Sequence, residues 1–109
     1  TMGIREQQAI LGLLRYLETN YAGGSLTDAA AMLHCDVAWL SREIKRRTGR
    51  TYTELLQERR LRQAAWLLEH TRQRISDIAL SVGYENVSYF HRIFQKRFGL
   101  SPKKYRDNR

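Results

Sequence analysis

Arg42 and Arg92 stand 50 residues apart, each inside a stretch where cations alternate with apolar residues at helical spacing. A guanidinium is planar and donates two parallel hydrogen bonds, a match for O6 and N7 on the major-groove edge of guanine. The alternatives for each are a phosphate contact or an ion pair within the protein. Lys45, Arg46 and Lys96 lie close by in sequence. Flexible point charges of that kind hold a nucleic-acid backbone without reading its bases. Gln95 shares the polar arc with them and is assigned the same backbone role. Ala38 is small enough for its methyl group to meet a thymine methyl, with a plain helix-forming role as the alternative. Arg47 and Arg97 fall toward the packed side of the same stretches, with a solvated face as the alternative.

Other chemistries find little support. There is no nucleophile paired with a base, no cluster of carboxylates and no phosphate-cradling glycine loop, so an enzyme is not expected. His34, His70, His91 and Cys35 lack zinc-finger or metalloprotease spacing, and neither a metal nor another cofactor is expected. Cys35 is the single cysteine, which excludes an internal disulfide, fits a reducing compartment and reads as a buried or half-buried structural thiol.

The charge balance points the same way as the arginines. Nineteen Lys and Arg oppose eleven Asp and Glu in 109 residues, a net charge of +8. The isoelectric point is near 10.2. So basic a chain favours a polyanionic partner, nucleic acid ahead of an anionic membrane surface. A hydrophobic content of 42% with 10% aromatic residues argues for a packed domain rather than a basic tail. No run of about 18 apolar residues and no signal peptide is visible, which predicts a cytoplasmic protein.

The elements that must position these groups follow from periodicity. Ile10, Leu13, Leu14 and Leu17 recur at helical spacing from Ile4 to Tyr21, and Gly23-Gly24 ends that helix. Thr27 is the expected N-cap of a short helix through Ala29, Ala30, Ala31, Met32 and Leu33, with Asp28 in its first turn. A helix from Val37 to about Thr48 follows, closed by Gly49 in the left-handed position. It groups Val37, Leu40 and Ile44 on one side and Ala38, Arg42, Lys45 and Arg46 on the other. Trp39 lies beside the polar arc, either against a sugar-phosphate backbone or, as favoured, packed on a neighbouring helix.

Thr51 caps a long helix over about residues 52 to 70, which at 1.5 Å per residue is about 28 Å. Ser76-Asp77 then repeats the Thr27-Asp28 start, Ile78-Ala79-Leu80 repeats the short helix, and Gly83 makes the turn. A wheel of residues 86 to 98 places Val87, Phe90, Phe94 and Phe98 in one arc and Ser88, Arg92 and Gln95 opposite, flanked by Tyr89, His91 and Lys96. Trp66, Phe90, Phe94 and Phe98 are assigned to the core, and Val87 falls on the boundary between core and groove. Ser101-Pro102 opens a brief last helix carrying Tyr105 and Arg106.

The construction occurs twice. Leu26-Thr27-Asp28 matches Ile75-Ser76-Asp77 at a spacing of 49, and Arg42, Ile44 and Gly49 match Arg92, Phe94 and Gly99 at a spacing of 50. One extra residue in the second turn reconciles the two. The repeated unit is short helix, tight turn, amphipathic basic helix, with no β-alternation, so the expected fold is all-α. In such a unit the first helix braces the second, whose free face enters a major groove. Successive grooves repeat at about 34 Å, a distance that a connecting helix of about 28 Å with the widths of its flanking units can bridge.

These residues together resemble the AraC/XylS family of bacterial transcription regulators. The resemblance is carried by Leu40-Ser41-Arg42 with Thr48-Gly49, Arg60-Leu61 with Ala64 and Leu67-Leu68, and Ile75-x-x-Ile78-Ala79-x-x-x-Gly83-Tyr84. Ser88-Tyr89-Phe90-x-Arg92-x-Phe94 and Gly99-x-Ser101-Pro102-x-x-Tyr105-Arg106 complete it. It implies about seven helices in two helix-turn-helix subdomains, residues 1–51 and 72–109, joined by a linker helix over 52–71. It also implies sequence-specific binding of double-stranded promoter DNA at an asymmetric site, with the third and sixth helices in successive major grooves.

Carried over by position, the base contacts are Ala38, Ser41 and Arg42, then Val87, Ser88, Tyr89, His91 and Arg92. Cys35-Asp36 in the first turn and Asn86-Val87 at the start of the sixth helix are particular to this chain. Activators of this kind touch RNA polymerase, act in the cytoplasm on the nucleoid, and often carry a separate sensing or dimerisation domain, though some consist of the DNA-binding domain alone; because the first helix begins almost at residue 1, a fragment is the expectation. The competing reading from charge alone is a helical module docking on an acidic protein partner. A steep fall of duplex affinity with salt separates the two.

Overall fold

The computed structural model describes residues 3–108. Among them run seven helices and no strand: α1 (Ile4–Thr19), α2 (Leu26–Met32), α3 (Val37–Thr48), α4 (Tyr52–His70), α5 (Ile75–Ser81), α6 (Val87–Phe98) and α7 (Pro102–Asp107). No helix is long and apolar enough to cross a membrane among the described residues. The chain divides into two compact units, the boundary falling inside α4 between Arg59 and Arg60.

The first unit closes around Ile10, Leu13 and Leu17 of α1, Ala29 and Ala30 of α2, Leu40 and Ile44 of α3, and Tyr52 at the head of α4. Leu55 and Leu56 of α4 pack against that cluster. Small residues in α2 permit the close approach, and Gly12 takes it furthest: a Cβ there would lie 2.5 Å from Leu33 Cδ2. Arg59 ties α4 to the end of α1, donating from Nε to the Glu18 carbonyl at 3.2 Å and pairing with the Glu18 carboxylate at 3.1 Å. Thr51 and Glu54 form a reciprocal cap on α4: Glu54 N–H donates to Thr51 Oγ1 at 3.1 Å and Thr51 N–H to Glu54 Oε1 at 2.8 Å. Those backbone and side-chain bonds from Thr51 hold the Glu54 carboxyl below its ordinary pKa.

The second unit buries Leu61, Ala64, Ala65 and Leu68 of α4, Ile78 and Ala79 of α5, Val82 and Tyr84 of the turn, and Phe90 and Phe94 of α6. Aromatic rings extend this core. Phe94 lies 5.7 Å from Phe90, 4.6 Å from Phe98 and 5.4 Å from Tyr105 of α7, the last edge-on. Arg106 donates to the Leu68 carbonyl at 3.1 Å and the Thr71 carbonyl at 3.3 Å, supplying donors at the C-terminal end of α4 where carbonyls lack helical partners. The Tyr105 hydroxyl donates to the Glu69 carboxylate. That bond to an anion, with some burial, pushes the phenol up to about 12.

Several expectations need correction. The cap of α2 is Ser25, whose Oγ accepts from Asp28 N at 3.0 Å, and Thr27 lies inside the helix. The start lies two residues earlier because Ser25 already satisfies a free N–H of the first turn. Likewise α5 begins at Ile75 after Arg74, with no side-chain cap. Helix α1 ends at Thr19 rather than Tyr21, and Leu14 is exposed, since the buried arc is made by Ala9, Ile10, Leu13 and Leu17. Val37, grouped with the packed face of α3, is also exposed, at the helix's first position. Trp66 is 52% exposed and not core. The helix face toward the core is filled by Leu61, Ala64, Ala65 and Leu68, so the indole stacks on His70 instead, 4.5 Å between rings. Phe98 is half-buried, at the last turn of α6 where the core ends.

Candidate nucleic-acid interface

Helices α3 and α6 are built by the same devices. Asp36 caps α3, its Oδ1 accepting from Trp39 N at 2.8 Å, and Asn86 caps α6, its Oδ1 accepting from Tyr89 N at 2.9 Å. Gly49 and Gly99 close them at φ 78° and 79°, a region where a side chain would strain the backbone. Leu40 and Ile44 in α3, and Phe90 and Phe94 in α6, are fully buried at a spacing of one helical turn. Two such anchors fix the rotation of each helix, and the opposite face is thereby turned to solvent.

The turns before them also correspond. His34 N donates to Ala31 O at 3.2 Å and Cys35 N to Ala30 O at 2.9 Å; Gly83 N donates to Leu80 O at 3.1 Å and Tyr84 N to Ala79 O at 2.9 Å. His34 and Gly83 both have positive φ, 57° and 111°. The extra residue of the second turn is therefore between Tyr84 and the Asn86 cap, at Glu85.

On the first unit, Ala38, Ser41, Arg42, Lys45 and Arg46 are all exposed on α3. On the second, Ser88, Tyr89, Arg92, Gln95 and Lys96 are exposed on α6, while Val87 and His91 are half-buried. His91 sits edge-on to Phe90 at 6.1 Å, so its ring is partly occupied in packing. Trp39 packs against the core of its own unit, as favoured from the sequence.

Some of these cations have partners that the sequence expectations do not include. Glu43 pairs with both Arg46, at 2.8 Å, and Arg47, at 3.3 Å. Those hydrogen bonds, Arg46 foremost, lower the Glu43 pKa and raise that of Arg46. Helical i, i+3 and i, i+4 spacing was the available signal. Lys45 Nζ donates to the Gly49 carbonyl at 3.1 Å. In the second unit Arg60 lies over the Tyr84 ring at 5.2 Å, Tyr84 is 6.0 Å from Tyr89, and Arg92 lies over Tyr89 at 5.6 Å. Burial pushes the Tyr84 phenol up, partly offset by Arg60.

Cys35 is half-buried, its thiol 3.4 Å from the Leu33 carbonyl. Among the described residues no group of three or more His, Cys, Asp or Glu side chains converges as a metal site. Chemically, each unit offers a rigid helix with an exposed guanidinium, small side chains beside it and cations toward the end. That arrangement suits hydrogen-bond donation to base edges and charge pairing with phosphates.

Comparison with known proteins bears on this surface. The profile of the helix-turn-helix domain family matches residues 29–108. The HTH-type transcriptional activator RhaS of Escherichia coli O1:K1 is 33% identical over 98 residues, 89% of this chain and 35% of its own length. The chain thus spans about a third of that relative's length. An AraC-type transcriptional regulator structure from Chromobacterium violaceum superposes with a TM-score of 0.85 at 24% identity, covering 96% of this chain and 95% of its own. The DNA-binding domain of AdpA, a global transcriptional factor solved in complex with a target DNA, gives 0.81 at 22% identity, covering 92% and 91%. At those identities the two structures establish a shared fold.

Proposed function

Since the chain belongs to the AraC-type helix-turn-helix family, we propose that it binds double-stranded promoter DNA sequence-specifically, as the DNA-binding part of a bacterial transcription regulator. The observation that carries this reading is the duplicated unit: two capped helices, each rotated by two buried anchors so that an arginine, a serine and further cations face solvent. Residues 52–71 serve as the link between the two reading segments.

Ala38, Ser41 and Arg42 of α3, and Val87, Ser88, His91 and Arg92 of α6, contact base edges, each helix in a major groove, with the Tyr89 ring beside Arg92. Lys45, Arg46, Gln95 and Lys96 contact the phosphate backbone. Arg46 does so with the part of its guanidinium left over from Glu43, since the fork carries five N–H donors. Because α3 and α6 differ in sequence, one copy reads an asymmetric site. RhaS is named a transcriptional activator; activation by this chain would involve RNA polymerase, in the bacterial cytoplasm on the nucleoid. A separate sensing or dimerisation domain is part of this reading.

Selection of bound duplexes from a random library tests the reading. A single asymmetric consensus is the expected result. Recovery of random sequence, or no duplex retained even at low salt, would replace it with a docking surface for an acidic protein.

A further inference from the structure

The two reading arginines are prepared differently. Arg92 has its guanidinium carbon 5.6 Å from the centre of the Tyr89 ring, one helical turn back. The Tyr89 backbone N–H donates to Asn86 at 2.9 Å, which fixes the helical turn, and the ring itself lies 6.0 Å from the Tyr84 ring at 58°. Tyr84 is 9% exposed, with Arg60 of α4 over its face. Cation, ring, ring and cation form a ladder from α4 through the turn to the exposed face of α6.

The first unit has no counterpart. Cys35 occupies the place of Tyr84, by the matching backbone bond to the carbonyl five residues earlier. Trp39 occupies the place of Tyr89, but it is turned into the core of its own unit. Among the described residues, no aromatic ring lies under Arg42.

We propose that Tyr89 is a positioning residue for Arg92, and that sequence discrimination is concentrated in α6 for that reason; this rests on the DNA-binding reading above. A cation is attracted to the negative face of an aromatic ring. A guanidinium already confined on such a ring gives up less conformational freedom when it meets a base edge. Arg42 has no such restraint and discriminates less sharply. Tyr89 therefore acts through Arg92 rather than as an independent base contact.

The test measures affinity for a selected duplex and its single-base variants, at one salt concentration, for the wild-type chain, Y89F, Y89L, R92A, R42A and the double variant Y89L/R92A. Helical content and melting confirm that each is folded. Y89L is expected to reduce discrimination about two- to fivefold, at the base pair where R92A abolishes it, and Y89F to restore most of that loss. In the double variant Y89L adds nothing to R92A. Independent, multiplying effects would overturn the proposal while leaving DNA binding intact, and so would discrimination lost equally in R42A and R92A. A wild-type chain that binds no duplex would overturn the DNA-binding reading and this proposal with it. Proton shifts of the Arg92 side chain in the free protein give a second readout: the ring-current displacement is expected in wild type and Y89F and absent in Y89L. Its absence from wild type would also overturn the proposal.

Discussion

Asp36 and Asn86 perform the same task in the two units, each accepting through Oδ1 the N–H three residues ahead, Trp39 at 2.8 Å and Tyr89 at 2.9 Å. Each fixes the first turn of the helix that carries the candidate reading residues.

Replacing either cap with alanine is expected to lower stability by about 1 kcal/mol. Denaturant unfolding of D36A and N86A measures it. Both anchors of each helix remain buried, so the fold should persist; a loss under a few tenths of a kcal/mol would mean that the side-chain bonds are replaced by water at no cost.

Arg92 and Lys96 should separate reading from holding. R92A is expected to cost about 1–3 kcal/mol of discrimination at one base pair. K96A should weaken cognate and random duplexes alike and lower the slope of log affinity against log salt by about 1. Equal loss on both kinds of duplex for R92A would reassign Arg92 to the backbone.

Alkaline titration reports on Tyr105. Its phenol is raised to about 12 by the bond to Glu69, above the value near 10 of an unfolded chain. A raised folded pKa means that this contribution to stability is complete below about pH 10 and is lost as pH rises through about 12. Y105F is expected to cost about 1 kcal/mol at neutral pH and to narrow that alkaline loss. Ultraviolet difference titration should show Tyr105 and Tyr84 late in wild type, and one fewer late tyrosine in E69Q; if E69Q leaves their number unchanged, the carboxylate is not the cause.

Acid should act through Glu54. Its pKa is lowered by the bonds from Thr51, so the cap contributes above the unfolded carboxyl pKa and is lost as pH falls through the folded one. Carboxyl chemical shifts should place the Glu54 midpoint below that of an unpaired glutamate, and T51A should move it back up. T51A keeps the Thr51 backbone N–H, so the return is expected to be partial; a wild-type midpoint at the value of an unpaired glutamate would refute the reciprocal cap.

His34 holds φ 57° in the first turn where the second unit has glycine. A side chain in that region costs about 1 kcal/mol, so H34G is expected to raise stability by up to about that amount. Thermal melting of H34G beside wild type checks it, and a lower midpoint would show that the imidazole contributes more than the strain removes.

How much of this was legible in the sequence differs by kind of interaction. The anchors Leu40, Ile44, Phe90 and Phe94 were readable because one stripe of apolar residues fixes a helix's rotation. The closing glycines and the Ser101-Pro102 start were readable because few residues suit those positions. Ser25 was missed because Thr27 has equal capping chemistry two residues on, and only the backbone path decides between them. Trp66 was misassigned because hydrophobicity does not say which face of a helix has room left. Within the candidate site the exposed cations were legible, but Glu43's hold on Arg46 and Arg47 and the ladder through Tyr84 depend on side-chain directions that spacing leaves open.

Glu85 is the residue by which the second turn exceeds the first, and it lies outside both α3 and α6. Upstream of it the units keep step at a spacing of 49, downstream at 50. From Asp36 to Gly49 and from Asn86 to Gly99, cap, anchors and closing glycine then fall in register without a gap. A segment cut at cap and glycine leaves the length of either turn unchanged, whereas one cut inside the turn would carry Glu85 with it and lengthen the first turn by one residue. Transplanted specificity, if engineered here, has its natural joints at Asp36, Asn86 and the two left-handed glycines.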